Sequence, residues 1–506
     1  MRAPPDLQPR DTYNEALLAN VHPANWQNPK PAARYDLVVI GAGTAGLVAA
    51  AGAAGVGARV ALIERHLLGG DCLNSGCVPS KALLRSSRAV AETQRSGEFG
   101  IHQESAAEAD FPAVMQRMRA LRARISPNDS ATRFRDELGV DVFLGSGRFE
   151  DPRTIVVEGA RLQFRKAVIA TGARPALPPI PGLGDVSVLT NENVFSLTDL
   201  PRRLLVLGGG PIGCELSQAF QRLGSSVTLV ERETQFLPRE DPAAAKLLKA
   251  ALERDGIDLR LGAAVTRIDE TGGEKHLAIE HAGSVSQVRA DQILVGTGRV
   301  PNTEDLDLAS AGVECDRRGI AVDDRLRTTN SRVYAAGDVC MDYKFTHAAD
   351  FAARLVVQNA LFFGRRKLST LTIPWCTYTE PEIAHVGLSE HDPGNDVPPM
   401  DTFLRTFSEV DRAIIDGEED GFVKIHVRKG SDRILGATIV AQHAGDMIGE
   451  VALAMAAGIG LSRIANVIHP YPTQAEAIRQ CGDAYNRTRV TPGVKRLLEG
   501  VLRLMR

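Results

Sequence analysis

Cysteine is scarce in this chain, with seven among 506 residues. That rules out a scaffold knitted by disulfides and fits a reducing compartment. Long apolar runs are missing too: none approaches the roughly 18–20 residues that span a bilayer. There is little surplus charge, a formal −3 spread along the chain, and so no reason to expect a nucleic-acid partner. The opening stretch, MRAPPDLQPRDTYNE, lacks the apolar core of a secretory signal, and the expected location is cytoplasmic. Otherwise the composition is that of an ordinary globular protein, 44% hydrophobic and 24% charged, with length for several domains.

What the chain does have is a repeated nucleotide-binding pattern. In YDLVVIGAGTAGLVAAAGAAGVGARVALIER, residues 35–65, an apolar β-branched run meets a glycine turn, an alanine-rich helix and a second apolar run. Gly41 suits the tight turn, Gly43 the approach of backbone amides to a pyrophosphate, and Gly46 close helix–strand packing. Glu64 ends the second run, placed to accept from ribose hydroxyls. The pattern returns at 203–232 with Gly208, Gly210 and Gly213, and with Glu231 at the same offset. A carboxylate there favours a free ribose 2′-OH, whereas Arg232 and Arg239 offer charge for a 2′-phosphate, leaving NADH and NADPH both open.

Five cysteines (Cys214, Cys315, Cys340, Cys376 and Cys481) stand apart and read as small apolar residues. Cys72 and Cys77 are different. They lie in GGDCLNSGCVPSK at the expected start of a helix, with Lys81 one turn further on. No second Cys pair or Cys/His cluster completes a zinc site, so no structural metal is expected. The helix N-terminus and nearby Lys favour a thiolate, and the pair reads as redox-active. Two dinucleotide sites with a cysteine pair suggest electron flow from a nicotinamide through a flavin to the sulfurs.

From about residue 34 to 487 the sequence resembles the flavoprotein disulfide reductases, the family of dihydrolipoamide dehydrogenase, glutathione reductase and mercuric reductase. The motifs GAGTAG, GGDCLNSGCVPSK, ATGARP, GGGPIGCE, GTGRVPN, AAGDV and HPYPTQAE occur in the family's order. The resemblance implies an α/β fold with two Rossmann-like domains, one for FAD and one for NAD(P)H, and a C-terminal α+β dimerisation domain. Residues 1–33, rich in Pro, Asn and Ala without steady periodicity, are expected to form an extended arm, followed by FAD-binding segments over 34–175 and 299–365 and an NAD(P)-binding domain over 176–298. A dimerisation domain over 366–487 and a basic amphipathic tail over 488–506 complete the chain. Cys72 would be the interchange thiol, Cys77 the charge-transfer thiol, and Lys81 with Glu215 the ion pair near the flavin. Asp338 and Thr346 would contact FAD, and Gly147, Thr171, Gly172 and Gly298 are further cofactor-binding positions. Asp71 stands where the family usually has Thr.

The C-terminal motif departs from the disulfide reducers. Its acid/base His is replaced by Tyr471, leaving Glu476 without an imidazole partner, while His469 occupies the other His position. A phenol titrates near 10, against about 6.5 for imidazole, and is a poor proton shuttle at neutral pH. Mercuric reductases resemble the chain in this Tyr and in the stretches VDRAIIDGEEDGFVKI and FLPREDP. They usually carry a terminal Cys-Cys pair and an N-terminal metal-capture domain, neither of which is recognisable here. The expected acceptor is Hg(II) at Cys72 and Cys77, or else a small oxidant such as hypothiocyanous acid, another metal, or a disulfide as in dihydrolipoamide dehydrogenase. A non-catalytic redox sensor is the remaining alternative. The tail sets Leu497, Leu498, Val501, Leu502 and Met505 on one helical face beside Lys495, Arg496, Arg503 and Arg506. Packing within a homodimer is expected, with a membrane surface or partner as the alternative.

Overall fold

The computed structural model describes residues 6–102, 108–391 and 397–506, arranged as two compact units. The first comprises residues up to 232 and 262–370; the second comprises 233–261 and 371–506.

In the first unit the strand Tyr35–Ile40 pairs in parallel with Val60–Glu64 on one side and with Ala160–Ile169 on the other. Val333–Ala335 joins the far side of Ala160–Ile169, also in parallel. Strands covered on both faces need apolar residues throughout, and Leu37, Val38, Val39, Leu62 and Val168 are fully buried. The helices Thr44–Gly55 and Thr346–Leu361 pack against each other through small residues, Ala49, Ala50, Ala353 and Val356 being among the buried ones. A second parallel set repeats the arrangement: Arg203–Leu207 pairs with Ser226–Glu231 and with Gln292–Val295, and the helix Pro211–Arg222 follows the glycine turn.

Between the two glycine turns Cys77–Gln94, Phe111–Ile125 and Ala131–Asp136 are helices. The N-terminal arm corrects the sequence reading. It was expected to be extended, but Thr12–Val21 is a helix. Asp11 caps it by accepting from the Tyr13 and Asn14 amides, and Leu17 and Val21 are fully buried. Asp11 also pairs with Arg119 at 2.5 Å, and Asn14 accepts from Arg122 at 2.6 Å. Residues 1–5 of that arm lie outside the described residues.

The second unit holds a five-stranded sheet with Pro374–Thr377, Glu382–Gly387, Ile434–Ala441, Phe422–Arg428 and Met400–Thr406 in that order, all antiparallel. Ala444–Ala456 and Glu476–Thr488 cover it, burying Val423, Ile425, Ile439, Val451 and Ile478. The helix Pro492–Leu504 follows and buries none of its residues. No helix among the described residues is long and apolar enough to cross a membrane.

Candidate active site

Both glycine turns are built on close backbone approaches that leave no room for a side chain. Gly41 has φ +99°, and a Cβ there would sit 2.4 Å from the Ala170 carbonyl oxygen. A Cβ on Gly46 would meet the Gly41 oxygen at 1.8 Å, and one on Gly213 would meet the Gly208 oxygen at 1.9 Å. The carboxylates at the next strand ends do a matching job: Glu64 accepts from the Ala42 amide and Glu231 from the Gly209 amide, each at 2.7 Å. Each thereby fixes its turn while keeping lone pairs for ribose hydroxyls. Glu64 is buried, 9% exposed, and that burial raises its pKa. Arg232 is exposed just past Glu231.

Cys77 is the first residue of its helix, where unpaired amides favour negative charge. Cys72 lies on the preceding short turn of helix, Gly70–Asn74. The Cys72 thiol donates to the Cys77 sulfur. That bond pulls the Cys77 pKa down to about 6, helped by the Thr346 hydroxyl at 3.3 Å and by the Lys81 charge. Cys72 moves the opposite way, raised by its thiolate neighbour and by burial. The pair is thus one thiol and one thiolate at neutral pH. Lys81 donates to Glu215 at 2.7 Å, joining the helix of the cysteines to the helix after the second glycine turn.

Thr346 was expected at the flavin. It opens the helix Thr346–Leu361 and also touches Cys77, so that helix N-terminus faces the sulfurs. Asp71 and Asp338 share a cation that sequence reasoning missed: Arg299 donates to Asp71 and to the Ala173 carbonyl, with its Nε 3.3 Å from Asp338. Asp71 therefore stands in an ion pair, and burial raises the Asp338 pKa. Thr171 donates to the Asn302 carbonyl at 2.6 Å, and Asn302 donates back to Thr171 at 2.9 Å. Gly172 and Gly298 take φ of +67° and +129° beside the short antiparallel pair Ala173–Pro175 and Arg299–Pro301. These positions fix the crossover between the two parallel sets. Gly147 opens a strand, where a Cβ would press on Ile63 at 3.1 Å.

Tyr471 and Glu476 belong to the second unit. Tyr471 is 70% exposed and donates to Asp411 at 2.8 Å, a bond that raises the pKa of the phenol further. Glu476 is paired with Arg479 at 2.6 Å. The His469 ring, 6% exposed, bonds Glu450 at 3.0 Å through Nε2 and the Val467 carbonyl at 3.1 Å through Nδ1.

Comparison with known proteins decides the assignment. The model of the pyridine nucleotide-disulphide oxidoreductases matches residues 35–353, and that of their dimerisation domain matches 373–481. The chain belongs to this family. It is 35% identical over 446 residues to a mercuric reductase of Staphylococcus aureus, covering 88% of this chain and 81% of that one. To a dihydrolipoyl dehydrogenase of Chlamydia muridarum it is 35% identical over 448 residues, covering 87% and 95%. Among solved structures it is similar to the HOCl-induced flavoprotein disulfide reductase RclA from Escherichia coli, with TM-score 0.79, 29% identity, and coverage of 88% and 99%. Members of the family are FAD-dependent and use NAD(P)H, and the glycine cradles and carboxylates described above fit both groups. The dimerisation domain implies a homodimer.

Proposed function

We propose that this oxidoreductase reduces a thiol-seeking acceptor, Hg(II) foremost, at Cys72 and Cys77. The observation that carries the reading is Tyr471. Reducing a disulfide expels a thiolate that needs a proton, and the phenol held by Asp411 is a worse acid than an ordinary tyrosine. A soft metal ion bound by thiolates leaves without protonation. FAD and NAD(P)H supply the two-electron chemistry when bound. Cys77 offers a ready thiolate, and Cys72 releases its proton when it takes the second metal bond. Thr346 and Lys81 steady the negative charge. NAD(P)H and Hg(II) then yield NAD(P)⁺, a proton and Hg(0), and both sulfurs are freed. The mercuric reductases among the relatives support the reading.

The likeness to RclA favours a second reading, a small reactive oxidant or another metal, since RclA has also been solved as a Cu(II) complex. The test is the substitution Tyr471→His in flavin-loaded protein, assayed with Hg(II) under excess small thiol beside lipoamide and glutathione disulfide. The reading expects Hg(II) turnover in the parent and at least a tenfold gain on a disulfide in the variant. Strong disulfide turnover by the parent, with no gain on restoring His, would contradict it.

A further inference from the structure

The first unit carries a second charged site that the electron path does not use. An open pocket of about 610 Å³ is lined by six cations, Arg165, Lys166, Arg325, Arg327, Arg332 and Arg365, together with Tyr334 and Phe363. It lies at the opposite end of the sheet from the glycine turn. Arg165 and Lys166 sit in the strand that runs on to Thr171, and Arg332 immediately precedes the strand that runs on to Asp338. The helix whose first residue touches Cys77 ends here, at Leu361.

Its charge is poorly neutralised. Asp323 pairs with Arg327 at 3.2 Å, and Asp36 approaches Arg165 at 4.0 Å. Lys166, Arg325, Arg332 and Arg365 take part in no ion pair among the described residues. Lys166 has only the Ser331 carbonyl at 2.9 Å and the face of Tyr334, its nitrogen 5.6 Å from the ring centroid. Burial and the charges of Arg332, Arg165 and Arg327 lower the Lys166 pKa, so the cluster repels itself. The carbonyls of the helix end oppose some of this charge, but Leu361 already accepts from Arg165 and Asn359 from Tyr334. At the rim Phe363 is 91% exposed in a left-handed conformation, φ +56°.

From this geometry we infer that the pocket binds an oligophosphate anion, either free or as the phosphate chain of a nucleotide. Four cations outside any ion pair, of which Arg325 alone feels a nearby carboxylate, Asp324, are of the order of a triphosphate's charge, and guanidinium forks suit phosphate oxygens. A recess lined by one sign of charge also concentrates such anions from solution. In the nucleotide case Phe363 is the face on which a base would stack.

Calorimetric titration of the FAD-loaded protein with inorganic triphosphate tests this, since that anion lacks the adenosine that the dinucleotide sites read. The expected result is one saturable site per chain, weakened at least tenfold by Arg332→Ala and by Arg365→Ala, and weakened further by added salt. Flavin content and NAD(P)H oxidation should be retained. Arg365 is exposed in a loop, so its variant serves even where Arg332→Ala folds poorly. ATP binding tighter than triphosphate, with the excess lost in Phe363→Ala, would identify a nucleotide as the source; equal affinities would identify a free oligophosphate. No saturable binding, binding that neither arginine substitution changes, or binding of long polyanions alone would overturn the inference.

Discussion

At the residue scale the chemistry rests on the asymmetry of two sulfurs. Cys77 has its pKa held at about 6 by the Cys72 thiol, Thr346 and Lys81, while Cys72 keeps its proton. Reactivity that depends on the Cys77 thiolate is therefore expected to rise as pH increases through about 6 and to level off above it. Thiolate absorbance of the reduced protein, titrated between acid and neutral pH, measures that midpoint. Lys81→Met removes a stabilising charge and is expected to move the midpoint upward, and an unchanged midpoint would deny Lys81 that part. The pair, Lys81 and Glu215 were all legible in the sequence because motif order identifies them. Arg299 was not. Its partners Asp71 and Asp338 lie far from it in the chain, and no local pattern marks an arginine that bridges two distant carboxylates.

At the scale of single elements, each glycine turn and its helix form one unit. Gly213→Ala would drive a Cβ to 1.9 Å from the Gly208 oxygen, so helix and strand must part. The expected outcome is a protein that keeps its yellow flavin but binds NAD(P)H at least tenfold more weakly, read by titrating the nucleotide against flavin fluorescence. Gly46→Ala should instead lose the flavin. A second element-level prediction concerns Glu240, which is buried and accepts from Trp375 at 2.9 Å while its other oxygen has no partner. Burial raises its pKa to about 7. A raised value means this group's contribution is fullest below the unfolded pKa and is lost as pH climbs through about 7. Glu240→Gln keeps the acceptor for Trp375 and is expected to stabilise the protein above pH 7 by roughly 1–3 kcal/mol, with no such gain at pH 5. Thermal unfolding at the two pH values checks it. Glycine turns announce themselves in sequence, but a buried carboxylate beside Asp241 in FLPREDP does not. The helix Thr12–Val21 was overlooked for a different reason: Pro9 and Pro23 on either side of it and its own asparagines hid the Asp11 cap and the i, i+4 spacing of Leu17 and Val21.

At the scale of the whole molecule, the two parallel sets, the antiparallel second unit and the family's dimerisation domain were readable because strand and turn signals recur in a fixed order. The acceptor was less readable, because it depends on what Tyr471 cannot do. Light scattering of the flavin-loaded protein is expected to give twice the mass of the 54.4 kDa chain. The exposed face of Pro492–Leu504, with Leu497, Leu498 and Leu502, is expected to add to that association. Replacing the three leucines with serine should then weaken the dimer, and a mass unchanged on dilution would remove the helix from that role. The central claim is that electrons from NAD(P)H reach a metal held by Cys72 and Cys77. Mercury vapour released by the reduced protein, measured against NAD(P)H consumed, tests it most directly. The account predicts one Hg(0) for each NAD(P)H, abolished by Cys72→Ala and by Cys77→Ala. Tight Hg(II) binding that halts NAD(P)H oxidation and releases no vapour would contradict it.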